Sequence, residues 1–446
     1  MIIARLRKHD LMANLWPYLR MIGRAHEPAT TALVARLSED GVALDGEGVT
    51  AADLALADTL AGAGFVEFHA GRDAGKMVLT PSAPNFTLRL GAYDDGVRWQ
   101  LSRFTYMHVE GGNFIVRHPI SDCLLTVNDP DAQRLALGFR APGFLPRSEP
   151  GDGIREYAGD VSWMLARAGA IVPVEADGRP LEAKDPKLRQ WDFHDLLFHA
   201  SSRLGRTEKA IGGTFSFKGD IAPTPALKRN VWIERILPLP RPDITALSRC
   251  DMPLTAAIET RRSIRQHSIV PPSIVQLGEF LYRSVRTRSL TPSPVGEFVS
   301  RPHANGGACY EQEYYITIDA CIDFPRGFYY YDSLQHGLCL ISGPDAEMEA
   351  LLDEASVATA RQGRPQILVT IASRFHRVGW KYRGMGYATQ LKNIGAIYQT
   401  MYLVATAMNL AGCGLGIGNT DRFCRMTGLD YLEEGSIGEF MLGRPL

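Results

Sequence analysis

One long apolar helix near the C-terminus constrains the fold of this chain more than any other feature. Within residues 380–419, apolar side chains recur at alternating steps of three and four, the spacing of a helix face that packs against a neighbour. These residues are Ile394, Ile397, Met401, Val404 and Met408. Because Gln390, Lys392 and Asn393 interrupt the apolar stretch, we predict a buried helix rather than a membrane span.

Polar residues precede this helix and glycines follow it. The residues before it include Lys381, Tyr382 and Arg383, and those after it include Gly412, Gly414, Gly416 and Gly418. Such glycines end a helix and allow the backbone to approach another group closely. We therefore predict a buried cofactor site here. A Rossmann fingerprint is excluded, because the glycines follow a helix and lack GxGxxG spacing.

The bulk composition predicts a soluble protein of two or three domains, with 446 residues, 45% hydrophobic and 22% charged. A net charge of -1 gives no reason to expect nucleic acid or an anionic membrane as a partner. The opening residues MIIARLRKHD do not form a convincing signal peptide. Seven scattered cysteines without a CxxC favour a reduced, cytoplasmic protein and no metal site.

Two segments of the N-terminal half share a pattern, LAGAGFV at residues 60–66 and LARAGAI at residues 165–171. Each follows a predicted helix, for which Thr50 and Asp160 are the expected caps, and then enters a strand, a turn and a return strand. This order is typical of the end of a winged helix. We predict one such module at residues 1–120 and a second, with a proline-rich linker, at 121–242. Since no basic run is present, peptide recognition is preferred to DNA binding, with a purely structural role as the equal alternative.

The C-terminal third contains a candidate anion site and a candidate ligand loop. In residues 254–265 (LTAAIETRRSIR), a predicted short helix leads to three arginines and a serine within five residues: Arg261, Arg262, Ser263 and Arg265. A phosphate would neutralise them, and the alternative is a solvated basic turn. In residues 301–310, an asparagine and two glycines precede a strand, which suits contact with a planar ligand. The apolar run at 366–372 predicts a buried strand just before Lys381.

These motifs resemble those of a known family. Residues 260–265 (TRRSIR) resemble the phosphate-binding opening of FMN-dependent nitroreductases, and residues 301–310 (RPHANGGACY) resemble the RPxPSGGxxY segment of SagB/ThcOx-type azoline oxidases. Residues 191–206 (WDFHDLLFHASSRLGR) are similar to the region before the flavin domain in that branch. The resemblance implies an α+β nitroreductase fold at 243–446, acting as a homodimer with FMN at the subunit interface. Its implied reaction oxidises thiazolines and oxazolines of a ribosomally made peptide.

The resemblance also implies roles for individual residues. The implied phosphate and ribityl contacts are Arg261, Arg262, Ser263 and Arg265, with Arg444 as the C-terminal cation. Asn305 and Gly306 match the loop beside the isoalloxazine, and the backbone of Gly414, Leu415 and Gly416 matches the approach to the flavin ring. Lys381 and Tyr382 match the catalytic pair of the branch, which plain nitroreductases lack. Departures occur at Asn305, where the branch often has serine, and at 393–396 and 418–421.

The Lys-Tyr pair suits the implied chemistry, because azoline oxidation removes one hydrogen as a proton and its neighbour as hydride. A nearby ammonium would lower the tyrosine pKa and make Tyr382 a usable base, while the reverse assignment stays open. Expected partners are an azoline-containing peptide, with or without a leader, and a cyclodehydratase complex. The alternatives are another desaturation, an NAD(P)H-dependent nitro or quinone reductase, and a peptide-binding scaffold with a degenerate flavin domain.

Overall fold

The computed structural model describes residues 1–7, 12–71, 76–143, 157–205, 210–229, 231–232, 236–293 and 296–446. They form two compact units, Met1–Ala210 and Ile211–Leu446. The division precedes the linker expected to end at residue 242, because residues 211–229 pack into the C-terminal unit. Arg374, for example, donates to the carbonyls of Pro225 and Ala226 at 2.8 and 2.7 Å. A division of the N-terminal half at residue 120 stays a prediction.

The N-terminal unit contains a seven-stranded antiparallel sheet in the order β2-β1-β3-β4-β8-β7-β6, with a separate β5-β9 pair. Its strands are β1 Ile2–Leu6, β2 Val42–Ala43, β3 Val66–Ala70, β4 Met77–Pro81, β5 Arg98–Leu101, β6 Tyr106–Glu110, β7 Asn113–Arg117, β8 Cys123–Val127 and β9 Ile171–Val174. Its helices are α1 Met12–Met21, α2 Pro28–Ser38, α3 Ala51–Gly62, α4 Pro130–Gly138, α5 Ala158–Arg167 and α6 Phe193–Ser201.

The two similar N-terminal segments adopt the same helix-to-strand turn, with Gly64 and Gly169 at φ +82° and +70°. Thr50 caps α3 in a reciprocal capping box, as predicted. The prediction for Asp160 was wrong, since α5 begins at Ala158 and the Asp160 carboxylate binds the N-terminal ammonium at 2.6 Å. The segments then diverge: β3 pairs with the following β4, but β9 pairs with the earlier β5.

The C-terminal unit is built on a second seven-stranded sheet, in the order β11-β16-β15-β14-β17-β20-β19. The strands of the unit are β10 Gly212–Gly213, β11 Ile236–Pro238, β12 Ser289–Ser293, β13 Gly296–Ser300, β14 Gln312–Ile318, β15 Gly327–Asp332, β16 Gly337–Ser342, β17 Ile367–Arg374, β18 Tyr382–Arg383, β19 Ala411–Leu415 and β20 Glu434–Gly443. The helices are α7 Ile244–Cys250, α8 Leu254–Thr260, α9 Ile274–Val285, α10 Ala346–Ala358, α11 Phe375–Gly379, α12 Gly386–Ala407 and α13 Thr420–Thr427. The predicted buried strand is β17, whose eight residues are all buried between β14 and β20.

The long helix predicted from periodicity is α12. Its buried face packs into the same apolar core as β17 and β20, and includes Ile394, Ile397, Met401 and Val404. The helix ends at Ala407, and Asn409 at φ +50° redirects the chain. The glycine cluster was expected to stop the helix, but its first part lies in β19 instead. Among the described helices, none is long and apolar enough to cross a membrane.

Candidate active site

Lys381 and Tyr382 lie just beyond the central strand, as the sequence predicted, because the single turn of α11 directly follows β17. The two-residue strand β18 holds the pair through antiparallel pairing of Tyr382 with Gly213. Lys381 Nζ donates a 3.0 Å hydrogen bond to the carbonyl of Gly307. The same ammonium lies 5.2 Å from the centroid of the Tyr382 ring. Both side chains of the predicted catalytic pair are therefore positioned by fixed backbone.

Tyr382 also packs against Gly307, so that a Cβ added to this glycine would lie only 2.2 Å from the Tyr382 hydroxyl. Gly307 has φ +65°, and its neighbours Ala308 and Tyr310 have φ +52° and +45°. Positive φ is unfavourable for these two L-residues. Such backbone strain is typical of functional loops, and here it occurs where the predicted ligand loop meets the predicted catalytic pair.

A buried carboxylate holds this loop in place. Glu311, fully buried, accepts hydrogen bonds from Asn305 Nδ2 at 3.0 Å and from Asn393 Nδ2 at 2.8 Å. The Asn393 side chain in turn accepts a 2.8 Å hydrogen bond from the amide of Gly306. Asn305 Oδ1 accepts from the amide of Tyr310 at 2.9 Å. With its amide group engaged inside the loop, Asn305 would present its backbone rather than its side chain to a cofactor.

The arginine-rich segment 261–265 approaches the glycine-rich strand through one tyrosine of α12. Tyr402 Oη lies 2.9 Å from Ser263 Oγ and accepts a 2.8 Å hydrogen bond from the amide of Gly414. The Arg261 guanidinium lies 4.9 Å from the centroid of the same ring. Within the described part of the chain, no salt bridge neutralises Arg261, Arg262 or Arg265. This set of uncompensated cations beside a serine hydroxyl fits a phosphate.

Arg444 lies close to the far end of this segment. Its amide donates to Gln366 Oε1 at 3.0 Å, and its carbonyl accepts from the amide of Ser268 at 2.9 Å. Gln366 Nε2 also donates to the carbonyl of Ser268 at 2.7 Å. The backbone of Arg444, the C-terminal cation predicted from the resemblance, is thus hydrogen-bonded to the segment that follows the three arginines.

The predicted flavin-approach turn is only partly a turn. Gly412 and Gly414 lie in β19, paired with Leu442 and Phe440. A Cβ at Gly414 would contact the ring of Tyr398 at 3.2 Å, while one at Gly416 would meet nothing within 4 Å. The carbonyl of the buried Leu415 accepts a 3.2 Å hydrogen bond from Tyr398 Oη. Open space for a ligand therefore begins at Gly416, just beyond the end of β19.

A buried glutamate lies beside this turn and was not predicted from the sequence. Glu439 on β20 is 5% exposed and pairs with Leu415 of β19. Burial raises the pKa of its carboxyl to about 7. A Cβ on Gly418 would meet the Glu439 carboxylate, so the carboxylate packs closely against the backbone of this glycine. The only signal for this group in the sequence was a charged residue inside an otherwise apolar strand.

Two neighbouring cavities lie at this end of the site. The smaller, about 60 Å³, is lined by Gly307, Cys309 and Lys381 among others. The larger, about 740 Å³, is lined by residues of the segment 214–223 with Gly296 and Trp380. Phe215, Pro223 and Trp380 line both cavities, so the two spaces share a wall. Ligand-sized space therefore lies next to the small cavity that Lys381 lines.

Two family models match this chain, each over about a quarter of its length. Residues 99–208 match cyanobactin oxidase ThcOx, and residues 326–444 match the nitroreductase family. The second match identifies an oxidoreductase whose C-terminal unit carries a nitroreductase-family domain. The first confirms the predicted resemblance to the ThcOx-type oxidases of that superfamily.

Individual proteins show more distant similarity. A nitroreductase homologue, MJ1384 of Methanocaldococcus jannaschii, is 24% identical over 159 residues, which cover 35% of this chain and 74% of the relative. A nitroreductase-like structure from Ralstonia eutropha is 21% identical, with a TM-score of 0.39, over 51% of this chain and 95% of the other. The Escherichia coli microcin synthetase McbBCD complex with truncated pro-MccB17 is 19% identical, with a TM-score of 0.35, over 52% and 91%. Since these scores are low, the assignment rests on the family models.

Proposed function

We propose that this protein is an FMN-dependent dehydrogenase that oxidises thiazoline or oxazoline rings to thiazoles or oxazoles in a ribosomally made peptide. The observation that carries the proposal is the contact of both Lys381 and Tyr382 with Gly307 in the loop beside the predicted cofactor. The match of residues 99–208 to cyanobactin oxidase ThcOx supports the azoline branch.

FMN fits the residues that are present. The uncompensated Arg261, Arg262 and Arg265 with Ser263 would hold its phosphate, and Arg444 would add a further cation. The backbone at 305–306 and at 414–416 would border the ring system. Bound FMN would accept a hydride from the substrate and pass both electrons to oxygen.

The chain itself supplies the proton-removing group. When the hydride leaves one ring carbon, the C–H bond of the adjacent carbon breaks and its electron pair forms the C=C bond that completes the aromatic ring. The proton goes to the Tyr382 phenolate or, in the reverse assignment, to a neutral Lys381 amine. The hydrogen bond from Lys381 Nζ to Gly307 fixes the ammonium next to the Tyr382 ring. Activity measured against pH in single variants of the two residues would assign the base.

The direct test is purification of the full chain, identification of its flavin and turnover of an azoline peptide. Lys381→Ala and Tyr382→Phe should each lower turnover by at least about 100-fold while FMN stays bound, because general acid–base groups contribute on this scale. Lys187→Ala and Tyr431→Phe, at exposed positions, are matched controls. Full activity in both site variants would refute the assigned role, and a protein that cannot be reconstituted with FMN would refute the function.

We propose a homodimer as the active form. On α8, which packs beside α12, the apolar side chains of Leu254 and Ile258 are 66% and 48% exposed, and Ile269 is fully exposed. Leu254 and Ile258 are one helical turn apart and share a face of α8, and an exposed apolar face of this kind favours burial by a second subunit. Light scattering would give a dimer mass for the native chain and a monomer for Leu254→Glu. The N-terminal modules and a cyclodehydratase complex are the proposed means of engaging the peptide.

A second candidate function follows from the nitroreductase match at residues 326–444. It is reduction of a nitro compound or quinone at the expense of NAD(P)H. Steady NADH consumption with such acceptors, together with inertness towards azoline peptides, would favour it over ring oxidation.

A further inference from the structure

The larger cavity, next to the one that Lys381 lines, has an apolar wall of defined geometry. Phe215 and Trp380 meet edge to face, with ring centroids 5.8 Å apart and planes at 82°. Trp380 Nε1 donates a 2.7 Å hydrogen bond to the carbonyl of Ile221, which fixes the loop that carries most of the lining. Ile221, Ala222 and Pro223 complete the apolar surface. The cavity is therefore bordered by an ordered aromatic pair and a loop attached to it.

The two adjoining cavities differ greatly in size. The 60 Å³ space next to Lys381 has room for a group of only a few heavy atoms, such as a five-membered ring. The 740 Å³ space lies within the range of pockets that bury a large ligand. The Lys381 ammonium is 5.8 Å from the centroid of the Phe215 ring, which borders both spaces. A ligand with its reacting ring at Lys381 would thus extend past Phe215 into the larger cavity.

We propose that the larger cavity binds a bulky apolar or aromatic side chain of the residue adjacent to the azoline, and so selects which rings of a peptide are oxidised. This proposal rests on the proposed function and adds to it a side-chain specificity. The apolar walls suit such a side chain because its burial against Phe215, Ile221 and Trp380 removes apolar surface from water. The lining also includes two charged residues, Lys218 and Asp220, at exposed positions.

The expected preference follows from the free energy of burying one large apolar side chain. It corresponds to about a 10- to 100-fold higher kcat/KM for a peptide with phenylalanine next to the azoline than for one with alanine. Filling the cavity should remove this preference. Ile221→Trp should lower kcat/KM for the phenylalanine peptide towards that for the alanine peptide, so that the preference between the two peptides is lost.

The experiment compares these two peptides with the native full-length protein, with Ile221→Trp and with the control Val357→Trp. Val357 is half-exposed on α10 and does not line the cavity, so the control should retain the preference. Ala222→Phe is a second filling variant for use if Ile221→Trp does not fold. Bound flavin, measured by absorbance, shows that each variant is intact, and calorimetry measures peptide binding separately from turnover.

The outcomes separate the two proposals. If the native protein turns over both peptides at equal kcat/KM, the cavity assignment is overturned while the proposed function stands. The same holds if the preference for the phenylalanine peptide survives in both filling variants. If the native protein binds the phenylalanine peptide more tightly, Ile221→Trp abolishes this difference and neither peptide is turned over, the cavity assignment is supported and ring oxidation is overturned. A preference in both binding and turnover that only the filling variants remove supports both.

Discussion

The hydrogen bonds of Asn393 should stabilise the C-terminal unit measurably, and Asn393→Ala tests this. The substitution removes a hydrogen bond to the buried carboxylate of Glu311 and leaves the amide of Gly306 without its acceptor. A hydrogen bond to a charged group contributes about 1.5–3 kcal/mol, and an unsatisfied buried amide costs about 1–3 kcal/mol. Since Asn393 is 4% exposed, little water can replace these bonds. We expect a loss of about 3–5 kcal/mol in the free energy of unfolding.

The control lies one turn earlier on α12. Gln390, 3% exposed, accepts a hydrogen bond from Ser373 Oγ at 2.6 Å and donates a long one to the carbonyl of Gly386 at 3.4 Å. Since neither partner is a carboxylate, Gln390→Ala should cost only about 1–3 kcal/mol. Because the chain has two compact units, global denaturation curves would mix two transitions. Hydrogen exchange of the buried amides of β17, followed by mass spectrometry, reports on the C-terminal unit alone. Equal loss of protection in both variants would show that Glu311 and Asn393 do not hold the loop as argued.

Two further predictions concern Gly307 and Glu439. Gly307→Ala should abolish azoline turnover, because the added Cβ would displace the Tyr382 hydroxyl. The control is Gly428→Ala, at a similar φ of +70° but with open space around it. This variant should cost the same backbone strain, about 1 kcal/mol, and keep turnover. Burial raises the pKa of the Glu439 carboxyl from 4.5 to about 7, so the folded protein binds a proton there more tightly than the unfolded chain does. The stabilisation of the folded state by this proton is complete below pH 4.5 and is lost as the pH rises through 7. Over this pH range the unfolding free energy of the native protein should fall by about 3 kcal/mol relative to that of Glu439→Gln. The control Glu433→Gln, at an exposed position, should show the same pH dependence as the native protein. Parallel curves of unfolding free energy against pH for all three proteins would contradict the role of the buried carboxyl.

The sequence predicted those features that depend on neighbouring residues. The periodicity of α12 is a local signal, and the apolar run of β17 is another, so both were found. The end of α12 was misread because glycines are also suited to close strand packing. Gly412 lies in β19, where an added Cβ would lie 2.7 Å from the Phe440 ring. No local sequence pattern indicates that these two residues are in contact.

The parts of the site that escaped prediction depend on contacts between distant residues. Glu311 and Asn393 are 82 positions apart, and their pairing follows from the packing of α12 against the loop. From the sequence, Asn393 was noted as an interruption of the apolar stretch and as part of a departure from the family pattern, but no partner was assigned to it. Tyr402 was not singled out, although its hydroxyl joins Ser263 to Gly414. A polar residue on a buried helix face is the signal that could have identified both.

The short β10–β18 ribbon has a consequence for how such a domain can be inherited or transferred. Tyr382 is paired with Gly213, and the Arg377 guanidinium donates to the carbonyl of Thr224 at 2.7 Å. A gene fragment that began at residue 243 would encode the arginines, the loop and α12 but not the strand that orients the Lys-Tyr pair. Residues 211–229 must therefore accompany the nitroreductase-family domain if a recombined protein is to keep the Lys-Tyr pair in this position.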